Sequence, residues 1–250
     1  MEIIAICNQK GGCAKTTTTV NLAASLADLG KKVLLIDNDP QGNLSQSIGV
    51  KKYKSTIYDC LVKEIPIDEA IVKSDFKDID LLASDMNYAN AELALANVKN
   101  KEFLLKEVFN RAGLNYDYIL IDCSPSLSLT TINALVAADS VLIPLEPSIF
   151  NLEGLAQLIK IIKLVVANFN KKLKVKGVVL TRVDTRSNLS KQFEEQLKAV
   201  FGDKLFDTMI HQNIAIVKSQ IEKKPVLHYE RWNKSSREYI ALAKEVIERG

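Results

Sequence analysis

Apolar residues in this chain fall into short continuous runs separated by stretches with helical spacing, and the two rhythms alternate along its length. Ile3, Ile4, Ala5, Ile6 and Cys7 make a run of strand length, and Val20, Leu22, Ala23, Leu26, Ala27 and Leu29 then recur at helical spacing up to Gly30. A second buried strand opens at Val33 and a third centres on Ile119, Leu120 and Ile121. The spacing next predicts a helix near Leu129 to Ala137, a strand Val141 to Pro144, a helix near Leu152 to Ala167 and a strand Val175 to Thr181. Repeated β-α units of this kind predict an α/β fold with a doubly wound, mainly parallel sheet flanked by helices. No Pro-, Gly- or Ser-rich linker and no repeat divides the 250 residues, so 1–250 reads as a single domain large enough to bury a core.

Between the first strand and the first helix stands Asn8 to Thr17, NQKGGCAKTT, which carries two lysines on one short glycine-containing turn. Strand, loop and helix in that order make a phosphate-binding loop. Backbone N–H groups and the positive end of the helix would surround the phosphates, Lys15 would neutralise them, and the Thr16 hydroxyl would bind Mg²⁺. The common pattern G-x-x-x-x-G-K-[ST] is not met, because Gln9 and Ala14 occupy its glycine positions. The bland alternative is a Gly-Lys surface turn after a strand.

Acidic residues collect at the ends of later strands. VLLIDNDPQGN, Val33 to Asn43, ends in Asp37 and Asp39, whose spacing puts both carboxylates on one side of an extended chain. YDYILIDCSPS, Tyr116 to Ser126, brings Asp122 out at a strand's carboxyl end. Each aspartate alone could be a cap or turn residue. Three after one phosphate loop point to a shared site, since open α/β sheets gather ligands at their carboxyl edge.

The stretch K-G-G-x-x-K-T, from Lys10 through Gly11, Gly12, Cys13, Ala14 and Lys15 to Thr16 and Thr17, resembles the deviant Walker A motif of the ParA and MinD ATPases. The resemblance implies that Lys10 reaches across a nucleotide-bridged homodimer to phosphates held by the other subunit, while Lys15 serves its own. It assigns Asp39 to orienting the attacking water, Asp37 to the Mg²⁺ shell or its neighbourhood, and Asp122 to a Walker B role on the metal. Asp39-Pro40-Gln41-Gly42-Asn43, Leu152-Glu153-Gly154-Leu155 and Thr185-Arg186-Ser187-Asn188-Leu189-Ser190 are similar to the small, Soj-like ParA branch. That branch implies an ATPase whose ATP-bound dimer binds DNA without sequence preference and is released when a ParB-type partner stimulates hydrolysis. Arg186 matches a basic position of the family, whereas its I-P-R-N stretch reads Ile210, His211, Gln212, Asn213 here, so Lys218, Lys223 and Lys224 are the candidates to take over DNA contacts. Thr181 stands where related GTPases place an asparagine that reads guanine; ATP is therefore the expected nucleotide, with Arg182 and His211 as candidates to flank its base. Two alternatives remain open: a ParA-like ATPase that positions a protein cargo, and a nucleotide-gated switch of the Min type.

Charge and cysteine usage sharpen this picture. The net charge is only +3, but residues 171–250 hold 17 Lys or Arg against 10 Asp or Glu, a local +7. Lys171, Lys172, Lys174 and Lys176 flank one strand, and a polyanion-binding face competes with a merely solvated one. The four cysteines lack metal or disulfide spacing, which argues against an iron-sulfur or zinc protein and for buried reduced thiols. Cys13, inside the loop, is a candidate for alkylation that ATP would block. Residues Lys234 to Arg249 read as a helix with Tyr239, Ile240, Leu242, Ala243, Val246 and Ile247 on one side. Packing on the core explains that stripe better than membrane binding, since Glu238, Glu245 and Glu248 interrupt any basic face. No apolar run approaches membrane-spanning length, so the expected setting is cytoplasmic, and the resemblance to the Soj-like branch implies association with the nucleoid.

Overall fold

The computed structural model describes residues 1–50, 52–148, 151–184 and 188–250, without the side chains of 151–153 and 188–192. The elements run β1 (Glu2–Ile6), α1 (Lys15–Asp28), β2 (Val33–Asn38), α2 (Asn43–Ser47), α3 (Ile57–Val62), α4 (Ile67–Ala70), β3 (Val72–Lys73) and β4 (Ile79–Leu82). They continue with α5 (Ala91–Ala94), α6 (Leu104–Arg111), β5 (Tyr118–Cys123), α7 (Leu129–Ala137), β6 (Ser140–Leu145), α8 (Asn151–Asn168) and β7 (Lys174–Leu180). The remaining helices are α9 (Asn188–Phe201), α10 (Ile214–Ile221), α11 (Val226–Tyr229) and α12 (Lys234–Glu248).

The strands form one seven-stranded sheet in the order β3-β4-β2-β5-β1-β6-β7. Every pairing is parallel except β3 with β4 at one edge. The doubly wound reading therefore holds, with an antiparallel edge that the hydrophobic rhythm does not announce: β3 has two residues and β4 four, too short to show a period. A parallel sheet covered on both sides needs apolar side chains on both faces of each strand. β1 shows this: Ile4 and Ile6 enter the core beneath α1 and α12, while Ile3 and Ala5 enter the opposite core with α7 and α8.

The apolar side of α12 is spent in the first of these cores. Tyr239, Leu242, Ala243 and Val246 are buried, and the helix packs along α1. Burial of side chains such as Leu242 and Val246 contributes about 1.5–3 kcal/mol each, which accounts for the stripe without a membrane. Among the described residues no helix is long and apolar enough to cross a membrane.

One expectation about charge is corrected. Lys176 does not belong to a basic face; it is 2% exposed, and its Nζ lies 2.6 and 2.8 Å from the Glu2 carboxylate oxygens. Its neighbour Gly177 has a steric reason, since a Cβ there would meet the Phe206 ring at 2.5 Å and the Lys204 carbonyl at 2.7 Å.

Candidate nucleotide site

The loop after β1 ends on an open helix terminus. Ala14, the N-cap of α1, offers no side-chain cap, and the first turn carries no acidic residue. Unsatisfied N–H groups and the helix dipole therefore face the cleft, an arrangement that favours an anion. The missing glycines are accounted for unequally. Ala14 adopts φ +60°, the left-handed conformation that glycine takes without strain, whereas Gln9 is not among the positive-φ residues and has no such need. Gly12 supplies a second left-handed position at φ +77°.

Lys15 is nearly buried, and its Nζ donates to the Lys10 carbonyl at 3.1 Å, which folds the ammonium back over the loop. Asn8 shapes the entrance: its Nδ2 donates to the Pro144 carbonyl at 2.7 Å and its Oδ1 accepts the Lys10 N–H at 3.1 Å. The Lys10 side chain is exposed. Cys13 is fully buried, and burial pushes its thiol up despite the opposing pull of Lys15 and Lys10, so neither its exposure nor its ionisation favours the alkylation considered for it.

Beneath the loop, Asp37 and Asp122 lie in register on the adjacent strands β2 and β5. Thr16 Oγ1 donates to Asp122 Oδ2 at 2.6 Å, and Thr19 Oγ1 stands 3.3 Å from Asp122 Oδ1. Asp37 Oδ2 accepts from both the N–H and the hydroxyl of Ser45, at 2.8 and 2.7 Å. Burial is the chief cause that raises both carboxyls from the ordinary 3.8, Asp122 to about 7 with Asp37 adding repulsion, and Asp37 to about 6 against the Ser45 hydrogen bonds. Two buried acids on neighbouring strands, with a threonine hydroxyl on one of them, form a donor set of hard oxygens that suits a divalent cation. Asp39 is partly exposed at the end of β2 and borders the cleft, where its Oδ1 accepts the Gln41 N–H at 2.9 Å.

The cleft has a volume of about 660 Å³ and is bordered by Gly11, Gly12, Ala14, Lys15, Thr16, Thr17, Asp39, Arg182 and His211 from among the expected residues. Arg182, itself at φ +54°, extends Nη1 to 3.4 Å from the Gly12 carbonyl and 3.7 Å from the Glu146 carboxylate. His211 pairs by a β-bridge with Val183 and is clamped by Glu238, which accepts its N–H at 3.0 Å and lies 2.6 Å from its Nδ1.

Several participants escape a reading of the sequence. Glu238 is one, visible there only as an acid on α12; Ser45, Asn8 and Gln220, whose Nε2 donates to Thr17 Oγ1 at 2.7 Å, are others. Thr19 could have been found, since it follows Thr16 by three residues and so shares its helix face.

The expected DNA residues are not brought together at this cleft. Arg186 lies outside the described residues. Lys218 is exposed on α10, Lys223 follows it at φ +55°, and Lys224 pairs with Glu222 at 3.1 Å.

Comparison with known proteins agrees with this architecture. A family model described as an AAA domain matches residues 1–175. The chain is 41% identical over 253 residues to the chromosome partitioning protein ParA of Caulobacter vibrioides, covering 100% of this chain and 95% of that one. It is 42% identical over 251 residues to the sporulation initiation inhibitor protein Soj of Bacillus subtilis, covering 100% and 99%. In structure it is similar to the septum site-determining protein MinD of Pyrococcus horikoshii, solved with Mg-ADP, at a TM-score of 0.81 and 27% identity over 98% of this chain and 95% of that one. With the two-lysine loop, the paired strand-end acids and full-length similarity of about 40%, the chain belongs to the ParA/Soj family of chromosome-partitioning proteins, among the ParA/MinD-type P-loop ATPases.

Proposed function

We propose that residues 1–250 act as one ATP-hydrolysing partition module: two copies close over ATP and Mg²⁺, the dimer binds DNA without sequence preference, and a ParB-type partner stimulates hydrolysis and release. The observation that carries the reading is the stack of Thr16, Asp122 and Asp37 directly under a loop with a nearly buried lysine and an open helix N-terminus. Thr16 and Asp122 would hold the magnesium, with Asp37 beside them. The ion, when bound, supplies charge neutralisation on the phosphates.

In this reading each side chain has a separate task. Lys15, after leaving the Lys10 carbonyl, neutralises the triphosphate of its own subunit, and Lys10 serves the triphosphate of the other. Asp39 orients the attacking water from the cleft's border. A cation supplied from a second subunit acts as an arginine finger does, an effect of about 10³–10⁵ in rate when complete. Arg182 and His211 flank the base. The setting that follows is cytoplasmic and nucleoid-associated.

A second reading keeps the ATPase and replaces DNA by a protein cargo. It is favoured by the thinning of the basic face: Lys176 is buried on Glu2, Arg231 binds Asp28 at 2.8 Å and Lys224 binds Glu222. Phosphate release measured with and without DNA and a ParB-type protein, beside sizing of Asp39→Ala with ATP, tests both readings. Stimulation that needs DNA, with an ATP-trapped Asp39→Ala dimer, supports partition of DNA. Turnover indifferent to DNA, with no DNA binding up to low-salt conditions, removes it in favour of the protein cargo.

A further inference from the structure

Helix α10 leaves one face bare. Ile214, Val217 and Ile221 recur at i, i+3 and i+7 and are 65%, 48% and 77% exposed, while Ala215 and Ser219 turn inward and are buried. An amphipathic surface helix would place polar residues on its outer side. Three β-branched apolar side chains in a row do nothing for an isolated subunit, and such a patch marks a contact.

Its position says what covers it. Val217 and Gln220 border the nucleotide cleft, and Gln220 is bound to Thr17 at the start of α1, so the row continues the cleft's rim. Next to the cleft-lining Gly11 stands Lys10, exposed and with no side-chain partner among the described residues. An occupant of this rim must therefore offer an anion and an apolar surface together. A second copy of the chain holding a triphosphate offers both, and a two-fold contact presents the same patch from each side. A nucleic acid offers the anion without the apolar row.

We propose that the Ile214–Val217–Ile221 row is the apolar contact through which a second copy closes over the cleft, burying the row only while nucleotide is bound. The inference rests on the ATP-dependent dimer proposed above and adds to it the surface that stabilises it. It also makes dimer strength adjustable at a site apart from the phosphate loop.

The test uses Ile221→Lys and Ile221→Leu in the full chain carrying Asp39→Ala, with ATP and magnesium, read by sedimentation velocity. Ile221 does not line the cleft, and a lysine in the last helical turn suits the helix dipole. Melting by circular dichroism confirms that both variants fold. The expected result is a dimer for the Asp39→Ala parent and the leucine variant, and a dimer weakened about tenfold or more for the lysine variant. Binding of a fluorescent ATP analogue to the dilute monomer should stay unchanged. Dimerisation of Ile221→Lys and of Ile214→Lys/Ile221→Lys at the parent's strength overturns the inference and leaves the ATPase reading standing. The same holds if those variants keep the dimer and lose only DNA or partner binding, which would reassign the row. A parent that stays monomeric with ATP overturns both.

Discussion

Replacing Asp122 by asparagine should stabilise the ligand-free protein, and by an amount that depends on pH. The carboxyl is buried beside Asp37 and titrates near 7 in place of the ordinary 3.8. Below about pH 3 it is protonated in the folded and unfolded chain alike and costs nothing. Between 3.8 and 7 the unfolded chain releases a proton that the fold retains, so stability falls as pH rises and levels off above 7. Integrating that difference gives a penalty of about 4 kcal/mol at pH 8 and about 2 kcal/mol at pH 5. Asparagine keeps an oxygen for the Thr16 hydroxyl, 2.6 Å away, and removes the ionisation. Urea unfolding at the two pH values, with chelator and without nucleotide, should therefore show Asp122→Asn gaining about 2–3 kcal/mol more at pH 8 than at pH 5. The same protein should lose magnesium-dependent nucleotide binding. An asparagine variant less stable than the parent at pH 8, or one with equal gains at both pH values, refutes the argument that the acid pair is held at a cost.

Other expectations follow from the same geometry. Lys15→Ala should abolish ATP binding measured by calorimetry, whereas Lys10→Ala should retain much of it and fail to dimerise in the same buffer. Gly177→Ala should lower stability by about 1–3 kcal/mol, read as a shift in urea midpoint, because the new methyl meets the Phe206 ring and the Lys204 carbonyl. Lys176→Ala should cost about 3 kcal/mol by stranding the Glu2 carboxylate, and Glu2→Gln/Lys176→Met should recover most of that loss.

What could be read from residues alone was what is local in the chain. The phosphate loop depends on ten consecutive residues, and its strand, turn and helix are carried by neighbouring side chains, so Lys15, Thr16 and the open terminus of α1 stood where expected. The helices predicted near Leu129 to Ala137 and Leu152 to Ala167 followed from apolar spacing and are found at Leu129–Ala137 and Asn151–Asn168, the first of them buried nearly all round. The strand-end acids were legible as types; that Asp37 and Asp122 are partners depends on the β2–β5 register, which no local pattern encodes. Lys176 shows the opposite failure. Its partner Glu2 is 174 residues away, and the lysine looks like any other in a basic stretch until β7 is set beside β6, which in turn lies beside β1. Glu238 likewise seemed a surface charge, and became the clamp on His211 only when α12 was laid across α1.

The packing of α12 on α1 has a consequence for the order in which the protein matures. Tyr239 walls the cleft whose floor is made by residues 11–17, and Glu238 fixes the loop at its far side. A growing chain thus holds its phosphate-gripping turn for most of its synthesis without the wall that completes the chamber. The complete chamber therefore exists only once α12, which ends at Glu248, has docked on α1.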